Sequence, residues 1–152
     1  MATRSFIIRK SNAEENRYTG IYCHWDGYPS YVGVMLRDHY SHDGEVQVLL
    51  GRGNVSSLLT PGGRDLAGED HQWNAYGEKA VHFDWLSDAF SHADGMGCEH
   101  AYVWDASARE WEHYDLRRIP QSLDNVESIV DIQRRVDLLG RERAEALGMA
   151  DT

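Results

Sequence analysis

Apolar residues in this chain fall in short runs separated by polar turns, and the period of each run predicts its element. Residues 5–9 (Ser-Phe-Ile-Ile-Arg) read as a first strand, followed by a polar turn over residues 11–16. Residues 18–25 (Tyr-Thr-Gly-Ile-Tyr-Cys-His-Trp) are rich in aromatic and β-branched side chains and read as a second strand, closing an antiparallel hairpin. Asp26-Gly-Tyr-Pro29 ends that strand in a turn. Pro29 or Ser30 can open a helix, since the missing proline N–H costs nothing in a first turn. Val32, Met35, Leu36 and His39 then share one helical face up to about Tyr40. Residues 44–50 form an apolar run that suits either a strand or a helical turn, punctuated by Gly51 and Gly53. Residues 60–70 are a loop on composition. A strand near residues 79–83, a short helix over 85–92 and a second hairpin from residues 100–104 and 110–116 complete this part of the chain.

The C-terminal segment has a different period. Asp124 with Glu127 makes a capping-box-like start. Ile129, Ile132, Val136 and Leu139 follow at steps of three, four and three, the seam of a coiled coil. So narrow a stripe favours pairing with a second copy, hence a homodimer, although Gly140 weakens that helix by ~1 kcal/mol relative to alanine. The expected fold is α+β: a small antiparallel sheet of two hairpins, one or two helices packed on a face, and a C-terminal amphipathic helix. Residues 1–120 form the compact domain and residues 121–152 the helical extension.

Composition narrows the class without naming a function. A hydrophobic share of 41% and a charged share of 26% exclude a disordered or fibrous chain. Two cysteines, Cys23 and Cys98, are too few for a disulfide framework and lack metal spacing; Cys23, inside a strand-like run, reads as a buried thiol. No apolar stretch is long enough to cross a bilayer, and the start lacks a signal peptide's apolar run, so a cytoplasmic location is expected. Residues 61–119 carry five basic and twelve acidic side chains, a net of −7 within the −10 of the whole chain. That balance argues against direct nucleic-acid binding. It leaves a nucleic-acid decoy, a docking face for a basic partner, or a plain solubilising surface.

The densest chemistry lies in residues 22–29, at the predicted strand-to-helix corner, which offers His24, Asp26 and the aromatic Trp25 and Tyr28. Such a corner exposes side chains and helix-start N–H groups that suit an anion, and its aromatics suit a planar ring. Arg4, near the start of the first strand, can pair with Asp26 or meet an anionic ligand. The same residues also admit a purely structural role: Asp26 capping the helix, Gly27 taking a positive φ, Trp25 and Tyr28 packing on the core. A second cluster, His39, His42 and Asp43, has too few well-spaced ligands for zinc, and a histidine-rich helix end is equally explained by the macrodipole. No metal or cofactor is expected, and no catalytic signature stands out.

Residues 1–7 (Met-Ala-Thr-Arg-Ser-Phe-Ile), Gly20-Ile-Tyr-Cys-His-Trp-Asp-Gly-Tyr-Pro-Ser30, Val32-Gly-x-Met-Leu-x-x-His-Tyr40 and Gly53-Asn-Val-Ser-Ser-Leu58 resemble a widespread family of small proteins encoded by bacteriophages, prophages and plasmids. In that family the last segment reads Gly-Asp-Ile-Ser-Ser-Leu. The resemblance covers roughly the first 60 residues and, loosely, the hairpin at 100–116; residues 60–80 and the chain after Pro120 are particular to this member. It implies a genomic setting rather than an activity, and its shared polar positions are Arg4, His24, Trp25, Asp26, Tyr28 and His39.

Three functions compete. The first is a non-catalytic binding protein that intercepts a host component, either a defence protein or a small nucleotide signal, with Arg4, His24, Trp25, Asp26 and Tyr28 lining its main pocket. The second is a phosphoester hydrolase using His24 as general acid or base, oriented by Asp26, which requires His24 within hydrogen-bond reach of Asp26, or of a distant carboxylate, in a cleft. The third is an acidic mimic of nucleic acid.

Overall fold

The structure, a computed structural model, describes residues 2–117. Its centre is strand β1 (Arg4–Lys10), whose residues Ser5 to Ile8 are all buried. β1 pairs antiparallel with β2 (Tyr18–Cys23), setting Phe6 opposite Tyr22 and Ile8 opposite Gly20. On its other edge β1 pairs in parallel with β4 (Cys98–Asp105), setting Phe6 beside Ala101 and Ile8 beside Val103. β3 (Val81–Phe83) extends the sheet beyond β2, and β5 (Glu110–Asp115) pairs antiparallel with β4. The order is β3-β2-β1-β4-β5. Both expected hairpins are present, and the fold is α+β. The sheet is mixed rather than wholly antiparallel, because the two hairpins meet side by side through the parallel β1–β4 pair.

Apolar side chains point from β1 to both faces, since successive residues alternate. Phe6 and Ile8 face one side and Ile7 the other, so both faces need cover. Helix α3 (Leu86–Gly95) covers the first face with Leu86, Ala89, Phe90 and Ala93, spaced as one helical stripe. The second face is covered by a π-helical turn (Pro29–Gly33) running into α1 (Val34–His39), and by α2 (Asp43–Gly51). Three layers result, with helices on both faces instead of the single face expected from the sequence. The ambiguous run at residues 44–50 is helix: Val46, Leu49 and Leu50 are buried while Val48 stays 65% exposed. Glu45 accepts a hydrogen bond from the His42 backbone N–H at 3.3 Å, half of a capping box at the start of α2.

One position on the predicted helical face is corrected. Val32, Met35 and Leu36 are buried as expected, but His39 is exposed and Tyr40 is the residue turned inward. His39 is the last residue of α1, and Tyr40 leaves the helix with a non-helical backbone (φ −128°) that sends its ring to the core. The expected helix from Asp124, its Ile129, Ile132, Val136 and Leu139 seam, and the 121–152 extension lie outside the described residues. Among the described residues no helix is long and apolar enough to cross a membrane.

Candidate functional site

β2 does not stop pairing at its last residue. The Val55 N–H donates to Tyr22 O at 2.9 Å, and the N–H groups of His24 and Trp25 donate to Val55 O and Ser56 O at 3.1 and 2.9 Å. Residues 54–56 pair in turn with residues 74–76, through Ser56 N–H to Asn74 O at 2.9 Å and Tyr76 N–H to Asn54 O at 2.8 Å. Buried Asn54 locks this ladder to the sheet, its Oδ1 accepting the Tyr22 N–H at 2.9 Å. Gly53 enters the ladder at φ +75°, and a Cβ there would stand 2.6 Å from Glu78 O. Glycine alone fits both conditions.

This ladder carries Tyr76 to His24, about fifty residues away in sequence. The two rings stack with centroids 4.7 Å apart and planes 18° from parallel. Trp25 meets the imidazole edge-on, also at 4.7 Å, and the Tyr22 ring lies 5.5 Å from that of Tyr76. His24 Nδ1 is held by the Tyr22 hydroxyl at 2.7 Å. Trp25 and Tyr76 nevertheless remain 46% and 42% exposed. The β1–β2 register puts Arg4 opposite position 24, just past the last paired residues, Ser5 and Cys23. Its Nη1 donates to Met96 O at 3.4 Å; its buried Nε has no hydrogen-bond partner, and it forms no ion pair among the described residues. Burial raises the Tyr22 hydroxyl pKa, while the nearby Arg4 charge pulls it down.

Asp26, Gly27 and Tyr28 form the corner that follows this edge. The sequence assigns the positive φ to Gly27, but Asp26 takes it, at +56°. Gly27 serves close approach instead: a Cβ would fall 2.7 Å from Ser5 Cβ, its N–H donates to Thr3 O, and its carbonyl accepts the Tyr102 hydroxyl at 2.7 Å. Asp26 does not cap the helix; its carboxylate accepts the Tyr28 hydroxyl at 3.0 Å, and Tyr28 is 39% exposed rather than packed in the core. Asp26 also lines a cleft of about 250 Å³ with Tyr31, Asp65 and His71. A neighbouring cleft of about 560 Å³ is lined by His39, His42, Glu45, Arg64 and Asp65 among others. Arg4, His24, Trp25 and Tyr28 line neither.

The expected set is therefore divided. His24 and Trp25 come together with Tyr22 and Tyr76, with Arg4 near Tyr22 and opposite position 24 in the register, while Asp26 lines the cleft with Asp65 and His71 and Tyr28 is bonded to Asp26. No hydrogen bond links His24 to Asp26 among the described residues. The Asp43 carboxylate of the second histidine cluster is taken by Arg9, Gln47 and Trp104, leaving His39 and His42 as exposed helix-end residues. Cys23 and Cys98 are free and buried, and burial pushes both thiols up to about 12, where they are inert near neutrality. Sequence reasoning missed Tyr76 and Asn54. A lone tyrosine in a polar loop carries no signal, whereas Asn54 lies in a recognisable segment whose role becomes visible only with the ladder. Compared with known proteins, the chain matches no family model, no curated protein and no solved structure.

Proposed function

We propose that the chain is a non-catalytic binding protein whose ligand is anionic and carries a planar ring, a nucleotide-like molecule, held at the Arg4–His24–Trp25–Tyr76 edge. The observation that carries this reading is the exposed ring surface of Trp25 and Tyr76, both in contact with His24, at the strand end where the β1–β2 register sets Arg4, an arginine that has no ion-pair partner among the described residues. Aromatic faces accept a base by stacking whatever its identity, and a guanidinium suits a phosphate. Asp26 and Tyr28, bonded to each other, brace the corner beside this edge. In the phage or mobile-element setting that the sequence suggests, such a protein works in the host cytoplasm by sequestering a small nucleotide signal.

The other functions fit the geometry less well. His24 faces a tyrosine hydroxyl and Asp26 another, so neither orients the other for hydrolysis. Several acidic side chains that a nucleic-acid mimic would display are paired internally, Asp70 with Arg64 and both Asp115 and Glu99 with Arg117. Native mass spectrometry of the chain purified from phage-infected cells tests the proposal. A small phosphate-bearing adduct retained by the native chain and lost in Trp25→Ala supports it. An adduct retained equally by both, or a host protein in its place, contradicts it.

A further inference from the structure

We propose that Asp65, Glu69 and His71 bind a divalent first-row transition-metal ion, such as Zn²⁺ or Mn²⁺, at the mouth of the cleft that Asp26 lines. One ligand atom from each of the three side chains lies within 4.8 Å of the others, and Asp65 Oδ2 and His71 Nε2 share a hydrogen bond at 2.7 Å that a metal ion bound by both would replace. The loop holds them there through its backbone. Asp65 N–H donates to Glu69 O at 3.0 Å, Glu69 N–H donates to Asp65 Oδ1 at 3.0 Å, and His71 N–H donates to Gly63 O at 2.9 Å. Because Oδ1 is occupied by that backbone bond, Oδ2 is fixed toward the imidazole, the kind of outer support that metal-ligating carboxylates receive.

The charge around the group calls for a cation. Asp26 and Asp65 line the same cleft, and both act on the Tyr31 hydroxyl, raising its pKa on top of the larger effect of burial. No lysine or arginine lines that cleft, and the Arg64 guanidinium beside it is bonded to Asp70 at 3.1 Å. The imidazole distinguishes this group from a patch of surface carboxylates and selects the metal class: Ca²⁺ and Mg²⁺ favour oxygen-only shells, whereas Zn²⁺ and Mn²⁺ accept a nitrogen with carboxylates. Three protein ligands leave coordination positions open to water or to an anion entering the cleft. The site is independent of the aromatic edge, sharing no residue with it.

Isothermal titration of the full chain with Zn²⁺, after chelator treatment, is the test, with folding of each variant checked by circular dichroism. The expected result is saturable one-to-one binding, weakened more than about ten-fold by His71→Ala and by Asp65→Asn. A His39→Ala/His42→Ala double variant should bind like the native chain. The side chains of Glu69 and His71 are exposed, so their replacement leaves the core intact. The proposal is overturned by an absence of saturable heat, by unchanged affinity in His71→Ala, by loss confined to the His39/His42 variant, or by tighter binding of Mg²⁺ or Ca²⁺ than of Zn²⁺.

Discussion

Asp43 accepts four hydrogen bonds that tie three elements together. Oδ1 takes Arg9 Nε at 2.8 Å and Trp104 Nε1 at 2.9 Å, while Oδ2 takes Arg9 Nη2 at 2.9 Å and Gln47 Nε2 at 2.7 Å. The bond to Arg9, foremost, holds the Asp43 carboxyl well below the usual carboxylate range. A depressed folded-state pKa contributes stability that is present above the unfolded value near 3.8 and lost as pH falls through the folded one. Asp43→Asn should therefore cost about 1–3 kcal/mol at neutral pH, a difference that shrinks below about pH 4; urea unfolding of both chains across that range checks it. His100 works at milder acidity. It is buried, its Nδ1 is 2.9 Å from His113 Nε2, and burial first, with help from Arg117, lowers its pKa against the opposing pull of Asp115 and Glu99. Its neutral form is the folded form, so its contribution is complete above about pH 6.5 and declines as pH falls through the lowered value. His100→Gln should flatten the dependence of melting temperature on pH between about 7 and 5.

Among the elements, Gly53 and Gly44 make a matched pair. At Gly53 an alanine meets both a positive φ and the Glu78 carbonyl, so Gly53→Ala should destabilise by about 2 kcal/mol or more and loosen the ladder that seats Tyr76. At Gly44, in the first turn of α2, a Cβ meets nothing within 4 Å, and Gly44→Ala should stabilise by about 0.5–1 kcal/mol. Thermal melts of the two variants would show shifts of opposite sign. The strands of both hairpins and α3 were legible in the sequence because period and turn residues agreed there. The parallel β1–β4 pair was not, since the Phe6-Ile7-Ile8 run shows a strand buried on both faces without saying which strand lies beside it. The candidate site was half legible. Arg4, His24 and Trp25 stood out by residue type, but the separation of Asp26 from His24 depends on Asp26 taking the left-handed backbone expected of Gly27. Tyr76 reaches His24 only because residues 54–56 lie between the two segments.

At the scale of the whole molecule, the sheet separates its two helical layers, and the two candidate sites adjoin the turn after β2, at Trp25 and at Asp26. The β2 extension presents an aromatic surface beside Arg4, and the 60–71 loop presents carboxylates and an imidazole beside Asp26. The central claim is that the first of these binds an anionic, ring-bearing ligand. Heteronuclear NMR titration of the full chain with a panel of mononucleotides and cyclic dinucleotides tests it most directly, with Arg4→Gln as the paired variant. The account expects saturable shifts for at least one of these ligands, centred on Arg4, His24, the Trp25 indole N–H and Tyr76, with affinity about ten-fold or more weaker in Arg4→Gln, the loss expected for a charge-assisted hydrogen bond. Shifts centred on other residues, an affinity indifferent to Arg4, or no shift with any of the panel would contradict it.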